Sequence, residues 1–303
     1  MAEKIVPNDK QNHGNILPKN TTLFNQVGGH DFTNGSIGIL KENSGCILKP
    51  IINAIKGKKE IGFYENLSVR NNAVHTELKS FVPKYLGTVD LKVNDKVVTF
   101  IRLEDLTDEF LKPCVMDVKM GAQTWEPNCP KNKQIAEDAK YIESKRDFGF
   151  CIPGFIVHSP TSNICLKFGK DFGRNLNKTT LPAALKTFLN ADNGLNENLV
   201  ISFLKKLERI KRWFETQKNY AFYSSSILLV YDADGLTSKS TVDDSMVKAV
   251  MIDFAHVVED TNVLDLNYLN GLKNLIEILD LSLPHNFVPK TQFWNHDIVI
   301  DVR

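Results

Sequence analysis

The sequence predicts an α+β fold of two lobes, with a smaller β-rich N-terminal lobe and a larger C-terminal lobe that mixes helices and strands. Three observations predict it: short strand-like runs with tight turns in the N-terminal third, a long amphipathic helix in the second half, and a polar connection at 104–112 between two strong strand candidates. A chain of 303 residues with 42% hydrophobic content is long enough for one large domain or two packed lobes around a substantial core. We therefore divide the chain into a flexible segment (1–23), an N-terminal lobe (24–103), a C-terminal lobe (104–283) and a tail (284–303).

The N-terminal lobe is predicted from turn residues and short apolar runs. The first residues are polar and are interrupted by Pro7 and Pro18, so we expect order to begin near Phe24. The turn Asn43-Ser44-Gly45 joins two apolar runs and predicts a β-hairpin. The elements expected here are strands at 37–40, 46–49 and 97–103 and a helix at 59–67.

The clearest helix lies in the C-terminal lobe, where apolar residues recur at spacings of three and four. These residues are Leu199, Phe203, Leu207, Ile210 and Phe214. Charged side chains fill the opposite face, and we interpret it as the solvated face of a core helix in preference to a calmodulin-binding or membrane-binding surface. The other elements expected in this lobe are strands at 114–120, 150–157, 164–168, 227–231 and 247–254 and a helix at 266–281.

Composition excludes several classes of protein. The net charge is only +1, so a polyanionic ligand has to be held by a local basic patch, and no nucleic-acid reader motif is present. The five cysteines form no C-x-x-C pair, which argues against a disulfide framework or a zinc module and favours a reducing compartment. No apolar run approaches the ~20 residues that cross a bilayer, and the N-terminus lacks a signal-peptide core. We expect a monomer in the cytoplasm or nucleus, without a transmembrane segment or a nucleic-acid partner.

Asp117 and Lys119 are the most informative pair of residues. They lie two positions apart on a predicted strand, so the period of two directs both side chains to the same face. A lysine and an aspartate in one cleft suit phosphoryl transfer, because the lysine neutralises phosphate charge while the aspartate orients a hydroxyl. The spacing alone also fits an ordinary surface ion pair, which is common.

The segment Pro113-x-x-x-Asp117-x-Lys119-x-Gly121 resembles the signature of the inositol polyphosphate kinase family. Further segments resemble family motifs in the same order, namely 48–50 (LKP), 103–106 (LEDL), 172–174 (FGR), 224–229 (SSSILL) and 252–256 (IDFAH). The resemblance covers roughly residues 24 to 282. Within the family, the segments 112–121, 124–127 and 213–217 are most similar to the multikinase branch.

The resemblance implies a protein-kinase-like arrangement in which ATP lies between the two lobes. It implies transfer of the γ-phosphoryl group of Mg-ATP to a free hydroxyl of an inositol tris- or tetrakisphosphate, a soluble substrate. Two alternatives stay open: a hexakisphosphate kinase that makes inositol pyrophosphates, and a scaffold that binds inositol phosphates without catalysis.

The resemblance also implies a nucleotide site. Lys49, paired with Glu60 at the start of the following helix, would contact the α- and β-phosphates. The main-chain carbonyl of Glu104 and the amide of Leu106 would read adenine, and Asp253 would hold Mg²⁺. Asp117 would contact either the ribose or the accepting hydroxyl. The chain contains no G-x-x-x-x-G-K-[ST] loop, so a Walker-type phosphate cradle is not expected.

The resemblance also implies an acceptor site, formed by cations near the same cleft. Lys119 would offset charge on the transferring γ-phosphate. Lys133 and Lys170 would bind substrate phosphates, and His256 would donate to a phosphate and sense its protonation. Purely structural roles stay open for two of these features. A lone histidine such as His256 is often structural, and a serine run such as 224–226 often only forms a turn.

The chain departs from the multikinase pattern directly after Lys133. Ala136 and Glu137 do not supply the pair of side-chain amides expected in some multikinases. This departure leaves open which hydroxyl accepts the phosphate.

Overall fold

The computed structural model describes residues 3–5, 17–18, 20–24, 27, 37–236 and 244–284. Two sheets organise these residues and confirm the predicted α+β fold of two lobes. The N-terminal sheet has five antiparallel strands in the order β2-β3-β4-β6-β5. Its strands are β2 (Thr21–Leu23), β3 (Leu40–Glu42), β4 (Cys46–Pro50), β5 (Tyr85–Val93) and β6 (Lys96–Glu104), while β1 (Glu3–Ile5) belongs to the other sheet.

Helices α1 (Ala54–Val69) and α2 (Ala73–Lys79) connect β4 to β5. The prediction that the first helix begins near residue 59 with Glu60 at its start is wrong. The helix begins after Asn53, whose side chain accepts from the amide of Lys56 and caps the first turn. Glu60 therefore lies nearly two turns inside α1, on its buried face.

The C-terminal sheet has six antiparallel strands in the order β1-β9-β8-β7-β11-β12. The signature strand β7 (Pro113–Met120) lies between β8 and β11, and its apolar side chains from Cys114 onward are buried. The remaining strands are β8 (Phe150–His158), β9 (Cys165–Phe168), β11 (Ser226–Asp232) and β12 (Val247–Ile252), with β10 (Tyr220–Phe222) and β13 (Val257–Glu259) pairing separately.

The two long helices predicted in this lobe are present. All five apolar residues predicted for the inner face of the first are buried, and its outer face carries ion pairs such as Lys206–Asp244 at 2.8 Å. Among the described residues, no helix is both long enough and apolar enough to span a membrane. The helices are α3 (Lys131–Asp138), α4 (Ile142–Phe148), α5 (Lys170–Arg174), α6 (Leu181–Phe188), α7 (Glu197–Thr216) and α8 (Leu266–Asp280).

Four other expectations need correction. The segment 1–23, predicted to be flexible, contains β1 and β2, which gain backbone hydrogen bonds from β9 and β3. The hairpin around Gly45 is present, but its first strand lies at Leu40–Glu42 instead of 37–40. The strand predicted at 247–254 ends at Ile252. Strand β5 was not predicted. The tail prediction at 284–303 lies outside the described residues except for Pro284.

The two lobes share one hydrophobic core. Contacts across the lobes fix them together: the indole of Trp213 donates to the carbonyl of Val74 at 3.0 Å, and the amide of Met251 donates to the carbonyl of Phe81 at 2.7 Å. The polar connection at 105–112 runs from β6 of the N-terminal sheet to β7 of the C-terminal sheet. The ion pair between Lys49 on β4 and Asp253, which follows β12, also links the two sheets.

Asp232 fixes the end of that connection, and we expect Asp232→Ala to lower the free energy of unfolding by about 2–4 kcal/mol. Its buried carboxylate accepts from the amides of Leu111 and Lys112, each at 2.8 Å, and of Asp234 at 3.0 Å. Urea denaturation measures the change. The exposed Asp280→Ala is the control and should change stability by less than about 0.5 kcal/mol; equal losses would contradict this role for Asp232.

Candidate active site

The signature residues lie where β7 is held on both sides. Asp117 pairs with Gly154 on β8 and with Leu228 on β11, while Lys119 pairs with Cys151 and Ser226. The register of β7 against β8 shifts between the two positions, so the strand is irregular at the signature. The carboxylate of Asp117 is buried, and Lys119 is half-buried at the mouth of the cleft.

Lys49 joins three elements of the site. Its Nζ lies 2.7 Å from Oε1 of Glu60 on α1, as predicted, and 2.6 Å from Oδ1 of Asp253, which follows β12. Burial alone would lower the pKa of Lys49, but the negative charges of Asp253 and Glu60 raise it. The same oxygen of Glu60 also accepts from the amide of Phe254 at 3.3 Å. The ammonium is therefore charged and fixed in the cleft.

Asp253 stands in a strained conformation at the end of an apolar strand. Its φ of +66° is in the left-handed region, which residues with a side chain seldom adopt. The hydroxyl of Ser225 donates to the preceding carbonyl of Ile252 at 2.8 Å and helps to hold this turn. Burial would raise the pKa of Asp253, but the charges of Lys49 and Lys119 lower it. Its carboxylate is therefore ionised.

Asp117 is a second carboxylate that is influenced by the charges of Lys49, Lys119 and Asp253. Burial raises its pKa, the charge of Lys119 opposes that rise, and the charge of Asp253 adds to it. Oδ1 of Asp117 is buried and makes no hydrogen bond of good geometry among the described residues, although the Ser226 hydroxyl is near enough to lower the pKa of Asp117. An unpaired buried oxygen is costly, so Oδ1 is a candidate contact for a ligand.

The serine run is part of the site. Nζ of Lys119 donates to the carbonyl of Ser224 at 3.0 Å, and Ser224 itself has a left-handed φ of +53°. The carbonyl of Ser225 accepts from the amide of Met120 at 3.0 Å. The run therefore aims Lys119 and continues the pairing of β7, a role that goes beyond forming a turn.

The connection between the lobes is ordered around Asp105. The carboxylate of Asp105 accepts from the amide and hydroxyl of Thr107 at 2.8 and 2.7 Å and lies 2.7 Å from Nζ of Lys41. Glu104 ends β6, and the carbonyl of Leu106 accepts from Nζ of Lys248 at 2.9 Å. The roles predicted for the Glu104 carbonyl and the Leu106 amide stay predictions.

A cluster of cations lies beside the signature. Burial lowers the pKa of Lys56, and the nearby charges of Lys133, Lys119 and Lys140 lower it further, while the charge of Glu137, which pairs with Lys140 at 2.8 Å, raises it. We call these four lysines the basic cluster. Like charges held this close disfavour one another and create a strong local site for an anion, even though the whole chain is nearly neutral. Lys56 was not predicted, because it precedes the expected helix and belongs to no motif.

Residues 100–280 match the family model described as Inositol polyphosphate kinase. The chain belongs to that family. It is 30% identical to the human inositol polyphosphate multikinase over 249 residues, which are 81% of this chain and 59% of the human protein. It is 31% identical to inositol polyphosphate multikinase alpha of Arabidopsis thaliana over 276 residues, 84% of this chain and 93% of that protein.

Solved structures of inositol polyphosphate kinases share this fold. The structure of the inositol phosphate multikinase Ipk2 of S. cerevisiae in complex with ADP and Mn²⁺ superimposes with a TM-score of 0.63 at 21% identity, covering 79% of this chain and 99% of that chain. The chain spans 56% to 62% of the length of the mammalian multikinases that it matches. The family model begins at residue 100, so it includes Asp117, Lys119 and Asp253 but not Lys49 or Glu60.

Lys170 lies on the helix that follows strand β9 of the C-terminal sheet. It begins α5, directly after Gly169, and a Cβ placed on Gly154 would stand 3.5 Å from Cα of Gly169. Because Gly154 pairs with Asp117, α5 starts one strand away from the signature of this kinase family. The predicted substrate role of Lys170 stays a prediction, as does that of Lys133 on α3.

Sequence reasoning gave no role to Glu126, although the segment 124–127 resembled the family. Oε1 of Glu126 lies 2.5 Å from Nδ1 of His256, and both carboxylate oxygens lie 2.9 Å from Nζ of Lys59. The neighbouring indole of Trp125 donates to Asp138 at 2.8 Å and anchors this loop on α3. The family motif was the only signal in the sequence, because the partners of Glu126 are far away along the chain.

Proposed function

We propose that the protein transfers the γ-phosphoryl group of ATP to a free hydroxyl of an inositol tris- or tetrakisphosphate. The observation that carries this proposal is the meeting of two sites in one cleft: Lys49, held between Glu60 and Asp253, and the basic cluster that includes Lys119. The first suits a nucleotide and the second suits a polyphosphate acceptor. The human and Arabidopsis relatives, both named multikinases, support the proposal.

For the nucleotide, Lys49 would contact the phosphates, and the main chain at Glu104 and Leu106 would contact the base. Asp117 would face the ribose with its unpaired Oδ1. The yeast multikinase that shares this fold was solved in complex with ADP, which supports a nucleotide ligand.

A divalent metal fits the residues present. The described residues contain no group of three or more His, Cys, Asp or Glu able to hold an ion by themselves. Magnesium usually takes one or two carboxylates and completes its shell with phosphate and water oxygens, so the ionised Asp253 is sufficient when a nucleotide is bound. Bound Mg²⁺ would neutralise charge on the phosphate oxygens. The Mn²⁺ in the yeast structure supports a divalent ion.

Glu137 favours an acceptor with free hydroxyls. Burial would raise the pKa of Glu137, but Lys140, at 2.8 Å, and Lys119 lower it, so a negative charge stands beside the basic cluster. A carboxylate accepts a hydrogen bond from a hydroxyl but repels a phosphate. This supports a tris- or tetrakisphosphate over a hexakisphosphate.

The test is incubation with Mg-ATP and each member of a panel from inositol trisphosphates to inositol hexakisphosphate, with products separated by anion-exchange chromatography. We expect the tris- and tetrakisphosphates to gain phosphate and the hexakisphosphate to remain unchanged. Matched reactions with EDTA control for metal dependence. Turnover of the hexakisphosphate alone would contradict the proposal and indicate a kinase that forms pyrophosphates. No turnover of any member of the panel would favour a binding scaffold.

A further inference from the structure

Glu126 and Lys59 fix one protonation state of His256. The imidazole is mostly buried, with 18% of the side chain exposed, and its Nδ1 faces the carboxylate of Glu126 at 2.5 Å. Burial would raise the pKa of Glu126, but its hydrogen bonds to Lys59 and His256 lower it, so Glu126 is ionised. An ionised carboxylate can only accept a hydrogen bond. Nδ1 of His256 therefore carries the proton.

The neutral imidazole then has its lone pair on Nε2. Burial lowers the pKa of His256, the charge of Glu126 raises it, and the charges of Lys56 and Lys133 lower it. The pKa of His256 therefore falls below its ordinary value, and the neutral form predominates near pH 7. The contact with Glu126 engages Nδ1 and leaves Nε2 on the opposite side of the ring.

The surroundings of His256 belong to the acceptor site. Lys56 on α1 and Lys133 on α3 are members of the basic cluster, and a proton on His256 would lower the pKa of Asp253. The other groups packed nearby are Lys59, which acts through Glu126, and Tyr223, whose amide donates to the carbonyl of His256 at 3.1 Å. Lys56, Lys133 and Asp253 are therefore near enough to interact electrostatically with His256, which sets the imidazole beside the basic cluster and three residues after Asp253.

We propose that Glu126 is a positioning residue that holds His256 in the Nδ1–H form, so that Nε2 accepts the proton of the attacking inositol hydroxyl. This proposal rests on the proposed function. It differs from the sequence prediction, in which His256 donates to a substrate phosphate. It also gives Lys59 a task, because its charge limits how strongly Glu126 favours the imidazolium form.

The proposed step transfers one phosphoryl group and one proton. The hydroxyl oxygen forms a bond to the γ-phosphorus, and the bond from that phosphorus to the β–γ bridging oxygen breaks, leaving its electron pair on ADP. The hydroxyl proton moves to Nε2 of His256 and gives an imidazolium, which the carboxylate of Glu126 stabilises. The imidazolium then releases the proton to water.

The pH dependence of kcat/KM tests the proposal, because two substitutions should move it in opposite directions. Glu126→Gln removes the negative charge beside His256, so the acid limb should shift to lower pH by about 0.5–1 unit, with kcat reduced about 10- to 100-fold. Lys59→Met leaves the charge of Glu126 unopposed, so the acid limb should shift to higher pH. Lys58→Met, an exposed neighbour on α1, is the matched control and should shift neither. Shifts in the same direction, or none, would overturn the proposal.

An NMR measurement separates this proposal from the proposed function. Nitrogen-15 shifts of labelled histidine, assigned with His256→Asn, report the tautomer without any turnover. We expect the Nδ1–H form in the wild type and a change toward the Nε2–H form in Glu126→Ala. An Nε2–H form in the wild type would overturn the positioning role even in an active enzyme. A wild type with the Nδ1–H form but no activity on any inositol phosphate would overturn its catalytic use and the proposed function together.

Discussion

Lys119→Met is expected to lower kcat about 10²- to 10³-fold while leaving the Kd for ATP nearly unchanged. The side chain is half-buried and aimed by the carbonyl of Ser224 at 3.0 Å, so its charge is pre-positioned. A fixed cation stabilises charge that collects on the transferring group in the transition state more than charge in the ground state. Methionine keeps most of the volume, so the surrounding strand should be preserved.

Single-turnover kinetics and calorimetric ATP binding together measure this split. The control is Lys96→Met, which removes an exposed lysine at the start of β6 and should change neither quantity. A variant with full kcat and a raised KM for the inositol phosphate would mean that Lys119 only binds the ground state, and the catalytic assignment would fail.

Asp253→Asn is expected to reduce Mg²⁺-dependent turnover about 10²- to 10³-fold. Asparagine keeps an oxygen able to accept from Lys49, and it tolerates the left-handed φ of +66° at this position. The ion pair between Lys49 and Glu60 at 2.7 Å is independent of the change. The variant should therefore fold normally and lose chiefly the negative charge that holds the metal.

Titration of activity with Mg²⁺, and of bound Mn²⁺ by electron paramagnetic resonance in the presence of ADP, measures the loss. Asp244→Asn, at an exposed ion pair with Lys206, is the control and should leave both titrations unchanged. If the metal titrations of Asp253→Asn matched those of the wild type, Asp253 would be removed from the metal site.

Local patterns predicted the buried centre of the fold well. The helical spacing of Leu199, Phe203 and Leu207 identified α7, and the apolar run before Asp253 identified β12, because each element buries its own stripe or face. The start of α1 was missed because Asn53 was not considered as a cap. In β5, Val89 and Leu91 alternate with charged residues, so a period-2 signal was present there and was overlooked.

The edge strands were beyond local reasoning. Glu3–Ile5 and Thr21–Leu23 carry little apolar pattern of their own, and they become strands by pairing with β9 and β3. Such pairing depends on tertiary contacts, which a window of sequence does not contain.

The site was predictable only where family motifs covered it. The pair Lys49–Glu60 came from the resemblance and is present, but the second partner of Lys49, Asp253, is 204 positions away in the sequence. The partners of Glu126 are 67 and 130 positions away. Long-range ion pairs of this kind leave no local period or spacing. Only the folded chain brings them together.

The most direct test of the central claim is ³¹P NMR of the reaction of the protein with Mg-ATP and an inositol tetrakisphosphate. We expect a new phosphomonoester resonance on the inositol ring, formed together with ADP. This resonance should be nearly absent from the same reaction with Lys119→Met. A pyrophosphate resonance on the ring, or ADP formed with free inorganic phosphate and no new ester, would contradict transfer to a hydroxyl in this cleft.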